Sequence, residues 1–154
     1  MNIGYVTRDD LRRLSGLEIV RGWISGEVPS PPIVETMNYR FVAAEEGRCV
    51  MHGTPLEAHM NPFGAVHGGW YGTVMDTCTA CSVLTRLKPG QTYTTLEYKV
   101  NTIRAIPMGT EVVATGWCEH AGRSTGVAQG EIRGQDGTRY ALGQQTVLIM
   151  KVPD

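Results

Sequence analysis

One carboxylate stands inside the least polar stretch of this chain. Gly68–Thr85 reads GGWYGTVMDTCTACSVLT, and Asp76 is its only formally charged side chain. No Lys or Arg lies three or four positions away to pair with it. Desolvating an unpaired charge costs several kcal/mol or drives the group neutral, so something beyond the stretch must offset that cost. The nearest polar landmark is His67-Gly68-Gly69, which opens the segment. At a helix start the backbone N–H groups lack partners and the dipole is positive. Without side chains, Gly68 and Gly69 let a substrate oxygen approach those donors closely. The residue types therefore permit an oxyanion site at the helix start, with Asp76 as general base or nucleophile.

Spacing constrains how the two groups can cooperate. Eight residues of one helix separate Gly68 from Asp76 by ~12 Å along its axis. Reacting groups must come within ~3–3.5 Å of one carbon. One helix therefore cannot easily supply both, whereas two antiparallel copies can, which points to a site shared across a two-fold interface.

The elements that must position these residues follow from local signals. Thr7 with Asp10 caps a short helix, and Ser15 with Glu18 forms a capping box ahead of the Leu17, Val20, Ile24 stripe. Gly26, then Pro29, Pro31 and Pro32, end that helix and predict a stiff connector. Strands are expected at 37–44 and 47–53 around a Glu45-Glu46-Gly47 turn, with loop over 54–66. The long helix is predicted from Gly68 to Leu87, stopped by Lys88-Pro89-Gly90. Apolar cover on most of its sides marks it as buried. Four antiparallel strands complete the reading, near 92–106, 111–120, 125–133 and 139–152, with an Asp136-Gly137 hairpin turn. The fold class is α+β, a sheet of about six strands curled around one helix, with the N-terminal helices as an addition.

Composition narrows the function classes. The chain has 154 residues, 42% of them apolar and 19% charged, with a net charge of -1. These values suit one globular domain over 1–154, in which 1–36 is a helical extension and Pro-rich connector. Arg12 and Arg13 start no basic run, so no nucleic-acid footprint is expected. Three glycines, five Ser/Thr and an acid in 68–85 argue against a membrane span. The N-terminal residues carry acids at 9 and 10 and no apolar h-region, so the expected compartment is the cytoplasm. Cys49, Cys78, Cys81 and Cys118 fit no disulfide framework, and the mid-helix Cys78/Cys81 pair reads as small core filler. His52, His59 and His120 with Glu57 match no zinc spacing, so no metal is assigned.

Asn61, Gly64, His67, Gly68, Gly69 and Asp76 are spaced N-x-x-G-x-x-H-G-G-x6-D. This resembles the acyl-CoA thioesterases of the hotdog fold, specifically the PaaI-like phenylacetate-degradation group. The likeness continues through the 26–33 connector, the strand-end segment Thr102–Pro107 and the turn His120-Ala-Gly122-Arg123, and so covers nearly the whole chain. It implies hydrolysis of an acyl- or aryl-CoA thioester, with Asp76 as base or nucleophile and the Gly68 amide polarising the carbonyl. It also implies a homodimer with shared sites, and a homotetramer is the expected assembly. Coenzyme A enters as part of the substrate and no cofactor is expected.

The same resemblance gives His67 and Asn61 the thioester side of the pocket and places Thr95 against the attacking water. Asn61 has a second reading, as a turn residue before Pro62, and His67 as a helix cap. The resemblance lays coenzyme A along 103–108 and 120–125, with Gly69, Arg104, Pro107, His120, Gly122, Arg123 and Ser124 as contacts. Both arginines sit beside turns and could bind phosphate bidentately, although surface arginines near turns are commonly just solvated. Trp23, Trp70 and Trp117 are core or acyl-pocket material. Two alternatives share the fold: a dehydratase or hydratase, and a non-catalytic acyl-CoA-binding module. The first uses an HFP-type loop where this chain has His59-Met-Asn-Pro-Phe-Gly. The second has no use for an unpaired carboxylate.

Overall fold

The computed structural model describes residues 2–153. Helix α1 (Arg8–Arg13) is capped by Thr7, whose hydroxyl accepts from the Asp10 N–H while the Asp10 carboxylate reaches back. Helix α2 (Gly16–Ser25) has the same reciprocal cap from Ser15 and Glu18, and Gly26 at φ +85° ends it. A single turn, α3 (Ile33–Thr36), interrupts the connector that was expected to be merely stiff. Pro32 begins it, since its fixed φ suits the first turn of a helix.

Strands β1 (Tyr39–Glu45) and β2 (Arg48–Gly53) form the expected hairpin, and a short 3₁₀ turn at Glu57–His59 breaks the loop that follows. Helix α4 (Gly68–Leu84) precedes β3 (Gln91–Thr102), β4 (Val112–Ala121), β5 (Thr125–Gly134) and β6 (Arg139–Lys151). Helix α4 stops three residues short of the predicted Leu87. Arg86 and Leu87 donate to Val83 and Leu84, three residues back, so the last turn tightens out of α geometry.

All six strands form one antiparallel sheet in the order β1-β2-β4-β5-β6-β3. The helix lies across its inner face, against β2 through β6. Three glycines in register make that approach possible, Gly116 opposite Gly130 and Gly130 opposite Gly143. A Cβ on Gly116 would stand 2.1 Å from the carbonyl oxygen of Cys78, and one on Gly143 would stand 2.4 Å from Met75 Cγ. The sheet backbone is therefore itself the floor beneath the helix. Trp70, Val74, Met75, Cys78 and Val83 fill the core from the helix side, and Met51, Val112, Ile132 and Val147 fill it from the sheet. The edge strand β3 is long and largely exposed, with Leu96 56% and Tyr98 47% accessible.

Candidate active site

The helix start is built as its residue types dictate. His67 is extended (φ −62°, ψ 138°) and its Nδ1 accepts the Gly69 N–H at 2.8 Å. The ring is thereby fixed with Nδ1 bare. Its carbonyl accepts from the Trp70 N–H at 2.9 Å. Capping thus occupies the second and third amides, while the Gly68 N–H, the first, donates to nothing among the described residues. Gly68 is exposed, and an added Cβ there meets no atom within 4 Å. A bare amide at the positive end of a helix results.

Asn61 takes its turn-forming role. Its Oδ1 accepts from the N–H groups of Phe63 (2.9 Å) and Ala65 (3.1 Å), folding the loop that carries Gly64 at φ +76°. That oxygen is therefore taken up by the loop that leads to His67.

Asp76 lies farther along α4, half-buried rather than sealed as the apolar surroundings predicted. No cation pairs with it among the described residues. Neutral donors take the place of an ion pair: Thr95 Oγ1 donates to Asp76 Oδ1 at 2.9 Å, and Gln145 Nε2 donates to the same oxygen. Thr95 precedes a bulge in β3 between residues 95 and 97. Gln145 comes from β6, is 1% exposed, and also donates to Thr95 Oγ1 at 2.8 Å. Gln145 was missed from sequence, yet a signal existed. Ala141, Gly143, Gln145, Val147 and Ile149 alternate along one face of β6, and a primary amide is out of place in that apolar register.

The segments expected to hold coenzyme A lie at opposite ends of the sheet. Arg104 N–H and Ile103 N–H donate to the Tyr140 carbonyl, whereas the Ser124 carbonyl accepts from Ile149 N–H. Nine residues of β6 separate those anchor points (149 − 140), or roughly 30 Å at 3.3 Å per residue. Arg104 and Pro107 are exposed on a segment tied to α4 by the Ile106 N–H, which donates to Tyr71 Oη at 2.9 Å. His120 is exposed near the end of β4, and Arg123 and Ser124 are exposed on the β4–β5 turn, which Gly122 closes by donating its N–H to the Thr125 carbonyl at 2.8 Å. Within one chain the structure does not bring Arg104 and Arg123 together, and Asp76 lies between them along β6.

The remaining candidates are structural. Trp70 is 1% exposed, with Nε1 donating to the Met37 carbonyl at 2.9 Å, so it belongs to the core. Trp23 stacks on Phe41 at 4.8 Å, and Trp117 is half-buried in a shallow groove with Lys99, Gln129 and Gln144. Burial pushes the Cys78 thiol up, which disfavours the thiolate that redox or metal chemistry would need.

Comparison with known proteins agrees with this architecture. Residues 63–141 match the family described as the Thioesterase superfamily. A 1,4-dihydroxy-2-naphthoyl-CoA hydrolase from Listeria monocytogenes is 25% identical over 117 residues, covering 76% of this chain and 94% of that protein. The PaaI protein of the E. coli phenylacetic acid degradation operon superposes with a TM-score of 0.78 at 20% identity, over 90% of this chain and 98% of that one. A phenylacetic acid degradation-related protein from Ralstonia eutropha gives 0.77 at 26% identity, over 84% and 98%. With a match spanning more than half of its length and a six-stranded sheet laid around one helix, the chain belongs to the Thioesterase superfamily and is a thioester hydrolase of the hotdog fold.

Proposed function

We propose that the protein hydrolyses an acyl- or aryl-CoA thioester to the free acid and coenzyme A. The observation that carries this reading is the pairing of an unspent helix-start amide at Gly68 with a carboxylate held only by neutral donors at Asp76. Two routes use the pair. In one, Asp76 takes a proton from water as the resulting hydroxide adds to the thioester carbon. In the other, Asp76 attacks that carbon itself, and the mixed anhydride it forms is then hydrolysed. In both, charge builds on the carbonyl oxygen, where the Gly68 N–H accommodates it, and the C–S bond breaks to release coenzyme A.

The site is shared between two chains. The ~12 Å between Gly68 and Asp76 along one helix is too long for both to act on one carbon. The exposed edge of β3 is the kind of unpaired strand that another copy completes. Pairing of antiparallel copies would also set the Arg104 end of one chain beside the Arg123 end of the other, giving one coenzyme A molecule both cations. The aromatic acyl group named for the Listeria relative supports an aryl thioester among the substrates.

The test is thiol release from a panel of aryl-acetyl, hydroxybenzoyl and medium-chain acyl-CoA thioesters. The expected result is turnover that Asp76→Ala abolishes while binding of the same thioester persists. Tight binding without turnover by the unaltered protein overturns the reading.

A further inference from the structure

We propose that Gln145 is the positioning residue of this site, holding Asp76 so that one carboxylate oxygen is fixed and the other is left for the reaction; the inference rests on Asp76 being the reacting acid. A carboxylate only accepts, so the amide nitrogen of Gln145 must be the end that faces it. Its two hydrogens go to Asp76 Oδ1 and to Thr95 Oγ1, and its oxygen accepts from Thr79 Oγ1 on the other side. The amide is thus bonded at both ends, and Thr95, which accepts from it, passes its own hydrogen to Asp76 Oδ1. Three elements meet here: α4 with Asp76 and Thr79, β3 with Thr95, and β6 with Gln145. Both donations fall on Oδ1, and Oδ2 receives none among the described residues.

Burial shows why a glutamine matters at this position. Its neighbours on the same face of β6 are Gly143 and Val147, and its partner across β5 is Ala128. A buried primary amide on such a face destabilises the fold unless its polar atoms are bonded. An apolar residue of similar length would fill the space, and its loss would leave Oδ1 with Thr95 alone, free to rotate about its side-chain torsions. An arginine would pair with the charge and lower its basicity. A neutral amide orients the acid without neutralising it.

The experiment compares Gln145→Met, which keeps length and removes the donors, with Gln145→Asn, which keeps the amide but withdraws it by one methylene. Each is measured alone and combined with Asp76→Asn. For both single variants kcat is expected to fall roughly 10- to 100-fold, the scale of a misplacement on the order of 1 Å, with KM unchanged. Because Gln145 acts through Asp76, adding Gln145→Met to Asp76→Asn should lower the residual rate no further. Unchanged kcat in either folded single variant, or losses that multiply in the double variant, overturns the proposal. If Asp76→Asn itself keeps full activity, the reading of Asp76 fails instead, so the two failures are distinct.

Discussion

Replacing Gly68 by proline separates the chemistry of the helix start from its architecture. Proline removes one atom group that matters, the N–H, and position 68 is the first of α4, where that N–H has no partner within the described chain. The residue before a proline must be extended, and His67 already sits at φ −62° and ψ 138°. Gly68 is helical and has nothing within 4 Å of an added Cβ, so the ring has room. Proline is favoured at a first helical position, and narrowing the unfolded ensemble should raise stability by about 0.4–1 kcal/mol. Catalysis should respond in the opposite direction. Losing one preformed oxyanion donor costs about 2.7–4 kcal/mol in the transition state, or roughly 100- to 1,000-fold in kcat. Thiol release under saturating thioester measures the second quantity, and thermal unfolding measures the first. Gly68→Ala is the control, since it adds a methyl group in the same place and keeps the donor; whatever that bulk costs, it should lose clearly less activity than the proline variant. Full turnover by a folded Gly68→Pro protein would refute the amide's role. Equal losses in the alanine and proline variants would assign the effect to bulk rather than to the missing hydrogen.

Two more expectations follow from the same geometry. Gly68→Pro and Asp76→Ala chains, each inactive alone, should recover about a quarter of the unaltered activity when co-expressed, because half the dimers are mixed and each mixed dimer keeps one intact shared site. Sites contained in single chains would give no recovery. Gly116→Ala should cost about 1–3 kcal/mol or more in urea unfolding, because the new methyl group meets the backbone oxygen of Cys78 at 2.1 Å and backbone cannot step aside as a side chain can. An unchanged unfolding midpoint would show that α4 does not rest on the glycine row.

What could be read from the sequence was what short-range chemistry decides. Thr7 with Asp10 and Ser15 with Glu18 gave both N-terminal helices because a cap and its partner are three residues apart. Alternation gave the strands, and the run of glycine, threonine and apolar residues gave a central helix covered on most sides. The end of α4 was less legible, since residues 85–87 are apolar enough to continue it and only the tightened bonds to Val83 and Leu84 stop it. Within the candidate site, Asp76 and the bare amide of Gly68 were visible because each is anomalous locally. Thr95 rested on resemblance, as a threonine in a strand is unremarkable. Gln145 stayed hidden because its importance lies 69 residues from Asp76 in sequence and depends on which strand neighbours which. The same non-locality hid the separation of Arg104 from Arg123, which becomes clear only when both segments are tied to the ends of β6.

The lone acid of the central helix posed a problem of compensation, and the fold answers it without a counter-ion. An ion pair would have held the charge more strongly but would have filled the side that a substrate must reach. Thr95 from β3 and Gln145 from β6 do the holding instead, with Thr79 of α4 bracing Gln145, and these uncharged side chains only reach if helix and sheet lie close. That closeness comes from Gly116, Gly130 and Gly143, which leave no Cβ between the sheet and the turn of α4 carrying Met75, Cys78 and Thr79. Gly143 and Gln145 are two residues apart on one face of one strand. The first lets the helix descend, and the second meets the carboxylate that the descent brings within range. The glycine row and the buried amide are therefore parts of one requirement: a charge kept reactive has to be gripped from one side by neutral groups, and such a grip works only at contact distance.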